Sequence, residues 1–223
     1  MCGRFALFSN IKVILEYADL IDSDIEWSPH YNISPSMMIP VLIKNSKTPV
    51  IDLQKWGLIP NFSYSTDKEK NAFSVINAKS ETITTKPMFK NSFKYRRCLI
   101  PANGFYEWRK SDRQPFFIRV KDLPLIFFAG IWNSPKVENH TMPNNFTIIT
   151  ANANEKLQPI HNRMPVIFRP EQIHAWLFNS NQTELIEMLK SFPEEDMIIE
   201  PVSREVNYSR MDHPGLIEKI ETL

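Results

Sequence analysis

The chain has 223 residues, with 26 Lys and Arg against 25 Asp and Glu, a formal net charge of +1, and 43% hydrophobic residues. That length suits one domain, 1–223, with a sizeable core, and a near-zero charge neither advertises nucleic acid nor excludes it. Two cysteines are too few for a disulfide framework and no apolar run approaches the ~20 residues of a membrane span, so a soluble, cytoplasmic monomer is expected.

In chain order, residues 2–7 read as a strand. Ser9, followed by Ile11, Ile14, Leu15 and Ala18 at helical spacing, reads as a capped amphipathic helix ending near Leu20. Residues 27–40 hold three prolines and are expected to be a loop; 38–44 and 50–57 then form two strands about the turn 45–49. Residues 61–71 are polar and glycine-free, a loop; 74–78 is short and extended, and a helix started near Ser80 restarts after Pro87 to cover 88–94. The texture then turns to β, with strands at 98–100, 104–109, 116–120, 125–132 and 146–150 and no helix-length segment between them for crossovers. Residues 151–165 look irregular. Two helices, 170–178 and 182–189, a strand at 197–202 and a short helix after Pro214 complete an α+β chain, mainly antiparallel sheet or open barrel flanked by helices.

The charge is unevenly spread. No acidic residue falls between Glu81 and Glu107, where Lys86, Lys90, Lys94, Arg96 and Arg97 alternate with Phe89, Phe93 and Tyr95. Such a run is either a solvated face or a phosphate-binding strip with bases stacking nearby.

Chemistry concentrates at the start. If Met1 is removed, Cys2 carries an α-amine and a thiol on adjacent carbons. An α-amine of pKa ~7.8 is substantially unprotonated at neutral pH, where a lysine of pKa ~10.4 is not, and a thiol of pKa ~8.5 is a few per cent thiolate. Toward an aldehyde the amine forms an imine and the sulfur closes on the same carbon, giving a thiazolidine. Toward an amide or ester the thiol attacks with the amine as base. The bland alternative is a small residue opening a strand.

Glu107, in Gly104-Phe105-Tyr106-Glu107-Trp108, shares a strand face with Phe105, while Tyr106 and Trp108 point the other way. Either it is an exposed edge carboxylate, or the aromatic neighbours desolvate it into a proton donor. His161 and Arg163 stand two apart before Met164-Pro165, a pairing that is structural or else suits a site holding an anion and moving protons. Asn77 closes a short apolar run, as a turn residue or as an amide that orients a nucleophile. Neither cysteines nor histidines show metal-ligand spacing, and no glycine-rich phosphate loop exists, so neither metal nor cofactor is expected.

Met1-Cys2-Gly3-Arg4-Phe5, Tyr31-Asn32-Ile33-Ser34-Pro35, Trp56-Gly57-Leu58-Ile59-Pro60, Ile76-Asn77-Ala78-Lys79-Ser80-Glu81-Thr82, the run from Arg96-Arg97-Cys98 to Tyr106-Glu107-Trp108, Ala129-Gly130-Ile131-Trp132 and His161-Asn162-Arg163-Met164-Pro165 occur in that order. The set resembles the SOS-response-associated peptidase (SRAP) family, the abasic-site processing proteins. The resemblance implies a protein that binds single-stranded DNA at an abasic site and links its N-terminal cysteine to the ring-opened sugar through a thiazolidine. It further implies Cys2 as nucleophile, Asn77 positioning it, Glu107 serving proton transfer, His161 assisting ring-opening and release, and Arg4, Lys79, Arg97, Trp108 and Arg163 lining the DNA channel, with the basic strip as a further partner of the DNA. Lys79 stands where the family usually has arginine and Asn103 where aspartate is common. With Met1 alone before Cys2, an ordinary aminopeptidase suffices to expose the cysteine, without autoproteolysis. The rivals are an N-terminal-nucleophile glutamine amidotransferase, which also begins Met-Cys-Gly, and a non-catalytic single-strand-binding domain.

Overall fold

The computed structural model describes residues 2–60, 74–135 and 142–221; the expected loop at 61–71 lies outside them. The elements are β1 (Arg4–Leu7), α1 (Ile11–Tyr17), β2 (His30–Ile33), β3 (Met38–Asn45), β4 (Thr48–Trp56), β5 (Asn77–Lys79), α2 (Pro87–Tyr95), β6 (Arg97–Ala102), β7 (Gly104–Trp108), β8 (Pro115–Val120), β9 (Ile126–Asn133), β10 (Asn145–Asn152), β11 (Arg163–Pro165), β12 (Ile167–Phe168), α3 (Ile173–Phe178), α4 (Gln182–Glu187) and β13 (Met197–Pro201). Short 3-10 turns stand at Ser80–Thr82, Pro170–Gln172, Arg204–Asn207 and Pro214–Ile217.

The α+β, mostly β architecture expected from the sequence is what forms. One sheet is antiparallel throughout, in the order β13-β8-β7-β1-β2. In the other, β10, β4, β3, β6 and β9 pair in turn and β9 pairs back to β10, so the barrel closes instead of staying open. Two pairings are parallel, β10 with β4 and β10 with β5. Closure removes the exposed edges, and helices cover the outside: α2 buries Phe89 and Phe93 against β6 and β9, and α3 buries Trp176 against β6. With both faces covered, β6, β9 and β10 have almost no polar alternation, which is why they read as continuous apolar runs.

The chain crosses from barrel to second sheet at Asn103, between β6 and β7. Its Oδ1 accepts from the Phe8 and Ser9 amides at 2.7 and 3.0 Å, and its Nδ2 donates to Ser9 Oγ and to the Pro124 carbonyl. This side chain pins the end of β1 to the corner. Gly104 beside it has no room for a side chain: a Cβ would lie 2.6 Å from the Ile118 carbonyl oxygen. The Phe5 ring meets Trp56 and Phe128 edge-on at 5.2 and 5.7 Å in the main core. Ala6, Tyr106 and Phe117 form a smaller core on the opposite face of the second sheet.

Several expectations are corrected. The first helix is capped by Asn10, whose Oδ1 accepts from Val13 N at 3.1 Å, not by Ser9. The proline-rich stretch 27–40 contains strand β2, because Asp212 Oδ1 accepts its Tyr31 and Asn32 amides in place of a second strand. The irregular stretch 151–165 ends in β11, which pairs with β10.

Candidate functional site

Four elements carry the expected chemistry to one place. In the antiparallel register of β1 and β7, Arg4 lies opposite Tyr106, which brings the residues before Arg4 alongside Glu107. Asn77 opens β5, held parallel to β10 with Asn77 opposite Ile148, and its Nδ2 donates to the Cys2 carbonyl at 2.9 Å. His161 precedes β11, which is fastened to the end of β10 by the pairing of Asn152 with Arg163, and its Nδ1 stands 3.9 Å from Glu107 Oε1. Cys2, Asn77, Glu107 and His161 therefore converge.

Burial sets their electrostatics. Cys2 is fully buried, and loss of solvent, reinforced by the Glu107 charge, pushes its thiol above the usual range. Glu107 is 3% exposed, on the Phe105 side of β7, and burial pushes its carboxyl up as well. The desolvated reading of Glu107 is the one realised. Burial lowers His161, with the positive charges of Lys110 and Arg163 adding to the effect, so its ring is neutral near pH 7. His161 Nδ1 lies 3.0 Å from the Arg163 amide nitrogen and 3.2 Å from the Arg163 carbonyl oxygen, so the backbone of Arg163 holds the ring in either tautomer. Asn77 Oδ1 is buried and takes no hydrogen bond from any described residue.

The expected DNA contacts are placed differently. Arg97 is 8% exposed and commits all five N–H groups to carbonyls: Nε to Trp176, Nη1 to Phe93 and Lys94, Nη2 to Leu177 and Asn179. A phosphate contact from Arg97 would require these bonds to break, so the structure gives it a structural position. Arg163 is 7% exposed and forms a two-pronged pair with Glu81, at 2.5 and 3.0 Å, while also donating to Asn152 and Thr150. Arg4 donates to Asn32 Oδ1 at 2.6 Å and the Val206 carbonyl at 2.8 Å; Trp108 is partly buried, with Nε1 on Asn207 Oδ1 at 2.7 Å. Of the five, Lys79 has the exposed side chain.

Two residues that sequence reading passed over belong here. Glu81 fixes Arg163 and through it the strand after His161; the residues lie 82 apart in sequence, and no local pattern announces the pair. Lys110, three residues beyond Glu107, places a positive charge where His161 feels it.

The sequence profile of the family described as SOS response associated peptidase (SRAP) matches residues 1–209. The chain is 37% identical over 228 residues to the abasic site processing protein YoqW of Bacillus subtilis, covering 98% of this chain and 99% of that one. It is 31% identical to the abasic site processing protein YedK of Escherichia coli, covering 99% and 100%, and 31% identical to HMCES of Xenopus tropicalis, an abasic site processing protein, covering 89% and 68%. A crystal structure from Bacteroides thetaiotaomicron superposes with a TM-score of 0.88 at 24% identity, covering 99% of this chain and all of that one, and so shares the fold. The chain belongs to the SRAP family.

Proposed function

We propose that this protein processes abasic sites in single-stranded DNA by linking Cys2, freed of Met1, to the ring-opened sugar as a thiazolidine. The relatives carry the name abasic site processing protein, and the observation that bears the reading is the convergence of Cys2 and Asn77 on a buried Glu107.

The chemistry follows from the groups present. His161, whose ring burial keeps neutral, helps open the sugar to its aldehyde. The Cys2 amine adds to that carbonyl carbon, and the nitrogen proton passes to the oxygen, giving a carbinolamine. Glu107, whose hold on its proton burial strengthens, gives that proton to the hydroxyl, which leaves as water, and the C=N bond forms as an iminium. The Glu107 carboxylate then takes the thiol proton, and the sulfur adds to the iminium carbon to close the ring. One water leaves, Glu107 returns to its starting form, and no redox partner is needed. Asn77 holds the Cys2 carbonyl through Nδ2.

The amidotransferase reading requires an activated thiolate in the first step, and burial pushes the Cys2 thiol the other way, toward its neutral form. The test is incubation with an oligonucleotide carrying one abasic site. The expected result is an adduct that survives denaturation, with the mass of both partners less one water and less Met1. Cys2→Ala abolishes it, and Cys2→Ser gives at most a more heat-reversible adduct. Wild-type protein yielding no adduct, or active protein that retains Met1, overturns the reading, and ammonia release from glutamine would restore the rival.

A further inference from the structure

The basic run noted in the sequence separates, in the structure, into two classes. Phe89 and Phe93 are core residues, Arg97 is buried, and Arg96 is half-buried with Nε on the Trp132 carbonyl and Nη2 on Ser92 Oγ. What remains outside is Lys86 at the N-cap of α2, then Lys90, Lys94 and Tyr95, all exposed. The three lysines recur every four residues and so share one helix face, spanning roughly 12 Å.

Nothing in the fold accounts for this face. Among the described residues no carboxylate lies within 4 Å of Lys86, Lys90 or Lys94. Like charges at this spacing repel, and Lys86 and Lys90 stand at the positive end of the helix dipole, where a cation is unfavourable. The stripe is therefore a structural cost, and a chain of net charge +1 concentrates three positive charges on it. Its placement gives it direction. The Lys86 amide donates to the Thr82 carbonyl at 3.0 Å, just after Asn77 and Lys79, at the end of β10 where the site lies. The far end of α2 meets the opposite end of the barrel, where the Trp132 amide donates to the Arg96 carbonyl at 2.8 Å. Lys94 Nζ sits 5.0 Å from the centre of the Tyr95 ring, which is 67% exposed.

We propose that this face of α2 is a track for the phosphate backbone of single-stranded DNA running on from the lesion, with Lys86 nearest the site and Tyr95 offering a stacking surface for a base at the far end. The proposal rests on the abasic-site reading and adds to it a binding surface outside the catalytic pocket, read from charge complementarity along a path that begins at the site.

The test uses single-stranded oligonucleotides bearing a tetrahydrofuran abasic analogue, which has no aldehyde and reports binding without cross-linking. Flanks are lengthened on one side of the lesion at a time, and affinity is measured against salt. Wild-type protein gains affinity with length on one side. The triple variant K86Q/K90Q/K94Q loses that gain, and its salt slope falls by about two, from ~0.7 per phosphate neutralised on three phosphates. The K86R/K90R/K94R variant retains both. Removing three exposed lysines elsewhere, K12Q/K47Q/K121Q, leaves the length-dependent gain intact. Equal length dependence and salt slope in wild type and K86Q/K90Q/K94Q overturn the track, as does an equal loss in K12Q/K47Q/K121Q. Cross-linking of a short, saturating abasic oligonucleotide by the wild-type protein is followed beside these titrations, so failure of the site chemistry is read separately from failure of the track.

Discussion

Arg97 gives the sharpest quantitative test of the structure against the sequence reading. Of its five hydrogen bonds, those to Trp176, Phe93 and Leu177 are wholly buried. Arg97→Ala leaves these carbonyls without donors, at about 1–3 kcal/mol each when unsatisfied. Water entering the vacated space satisfies part of them, which puts the net loss near the lower end of the sum, about 3–5 kcal/mol. For a chain of this size that is a fall in Tm of roughly 6–20 °C. Arg97→Lys keeps the charge but has three donors on a single nitrogen and no planar fork, so it cannot reach carbonyls on both α2 and the end of α3, and it should recover less than half of the loss. Urea unfolding and DNA affinity, measured on the same samples, decide the matter. If Arg97→Ala unfolds at the wild-type midpoint while losing DNA affinity, and Arg97→Lys restores that affinity, Arg97 is a phosphate ligand and the structural reasoning fails.

Two further substitutions test how the site is built and run. Asn103→Ala removes the acceptor of the Phe8 and Ser9 amides and should cost about 2–3 kcal/mol in urea unfolding, whereas Asn103→Asp keeps that acceptor and should cost less; equal losses would refute the role given to Oδ1. Burial raises Glu107, so the folded protein holds that proton to higher pH than the unfolded chain does, and this group's contribution to stability declines as pH rises from the ordinary carboxylate range through the folded value. Glu107→Gln should therefore gain stability relative to wild type between pH 5 and pH 8 while cross-linking some 10²–10⁴ times more slowly, without the wild-type decline at high pH. A stability cost equal at both pH values would make Glu107 a structural residue only.

What the sequence reveals and what it hides divide along a physical line. Periodicity and turn chemistry are local, so β3 and β4, the β7–β8 hairpin and the amphipathic α2 are visible from composition alone. The facing of Glu107 with Phe105 also follows from local alternation, and the structure places Phe105 in the main core and Tyr106 and Trp108 against the smaller one. Strand β2 is hidden because its outer amides are satisfied by Asp212, which lies 180 and more residues away. The parallel pairing of β5 with β10 is hidden because three residues carry no period of their own. Arginines mislead most. The alternation of His161 and Arg163 suggests a shared anion site, yet the guanidinium of Arg163 is spent on Glu81, Asn152 and Thr150, and it is the backbone amide and carbonyl of Arg163 that meet the His161 ring. A guanidinium that knits carbonyls together and one that grips a phosphate are the same letter in a sequence.

In the proposed reaction, the burial of Cys2 favours the amine as the first of its two nucleophiles. An ordinary thiol is a few per cent thiolate at neutral pH; burial pushes the Cys2 thiol up, and its thiolate fraction falls accordingly. Were the thiol the first nucleophile, the fold would be suppressing its own chemistry. With the amine first, the sulfur meets an iminium carbon to which it is already tethered, and the effective molarity of such a well-oriented intramolecular attack, about 10⁵–10⁸ M, outweighs several powers of ten in thiolate. The same burial then protects the thiol from electrophiles in solution, which gain no such advantage. The expected outcome is that iodoacetamide at pH 7 alkylates Cys2 in the folded protein far more slowly than a small free thiol, at protein preparations that cross-link abasic DNA to completion. Alkylation at the rate of a free thiol, read by mass spectrometry of the N-terminal peptide, would show that Cys2 is not sequestered and that the amine-first order has lost its physical basis.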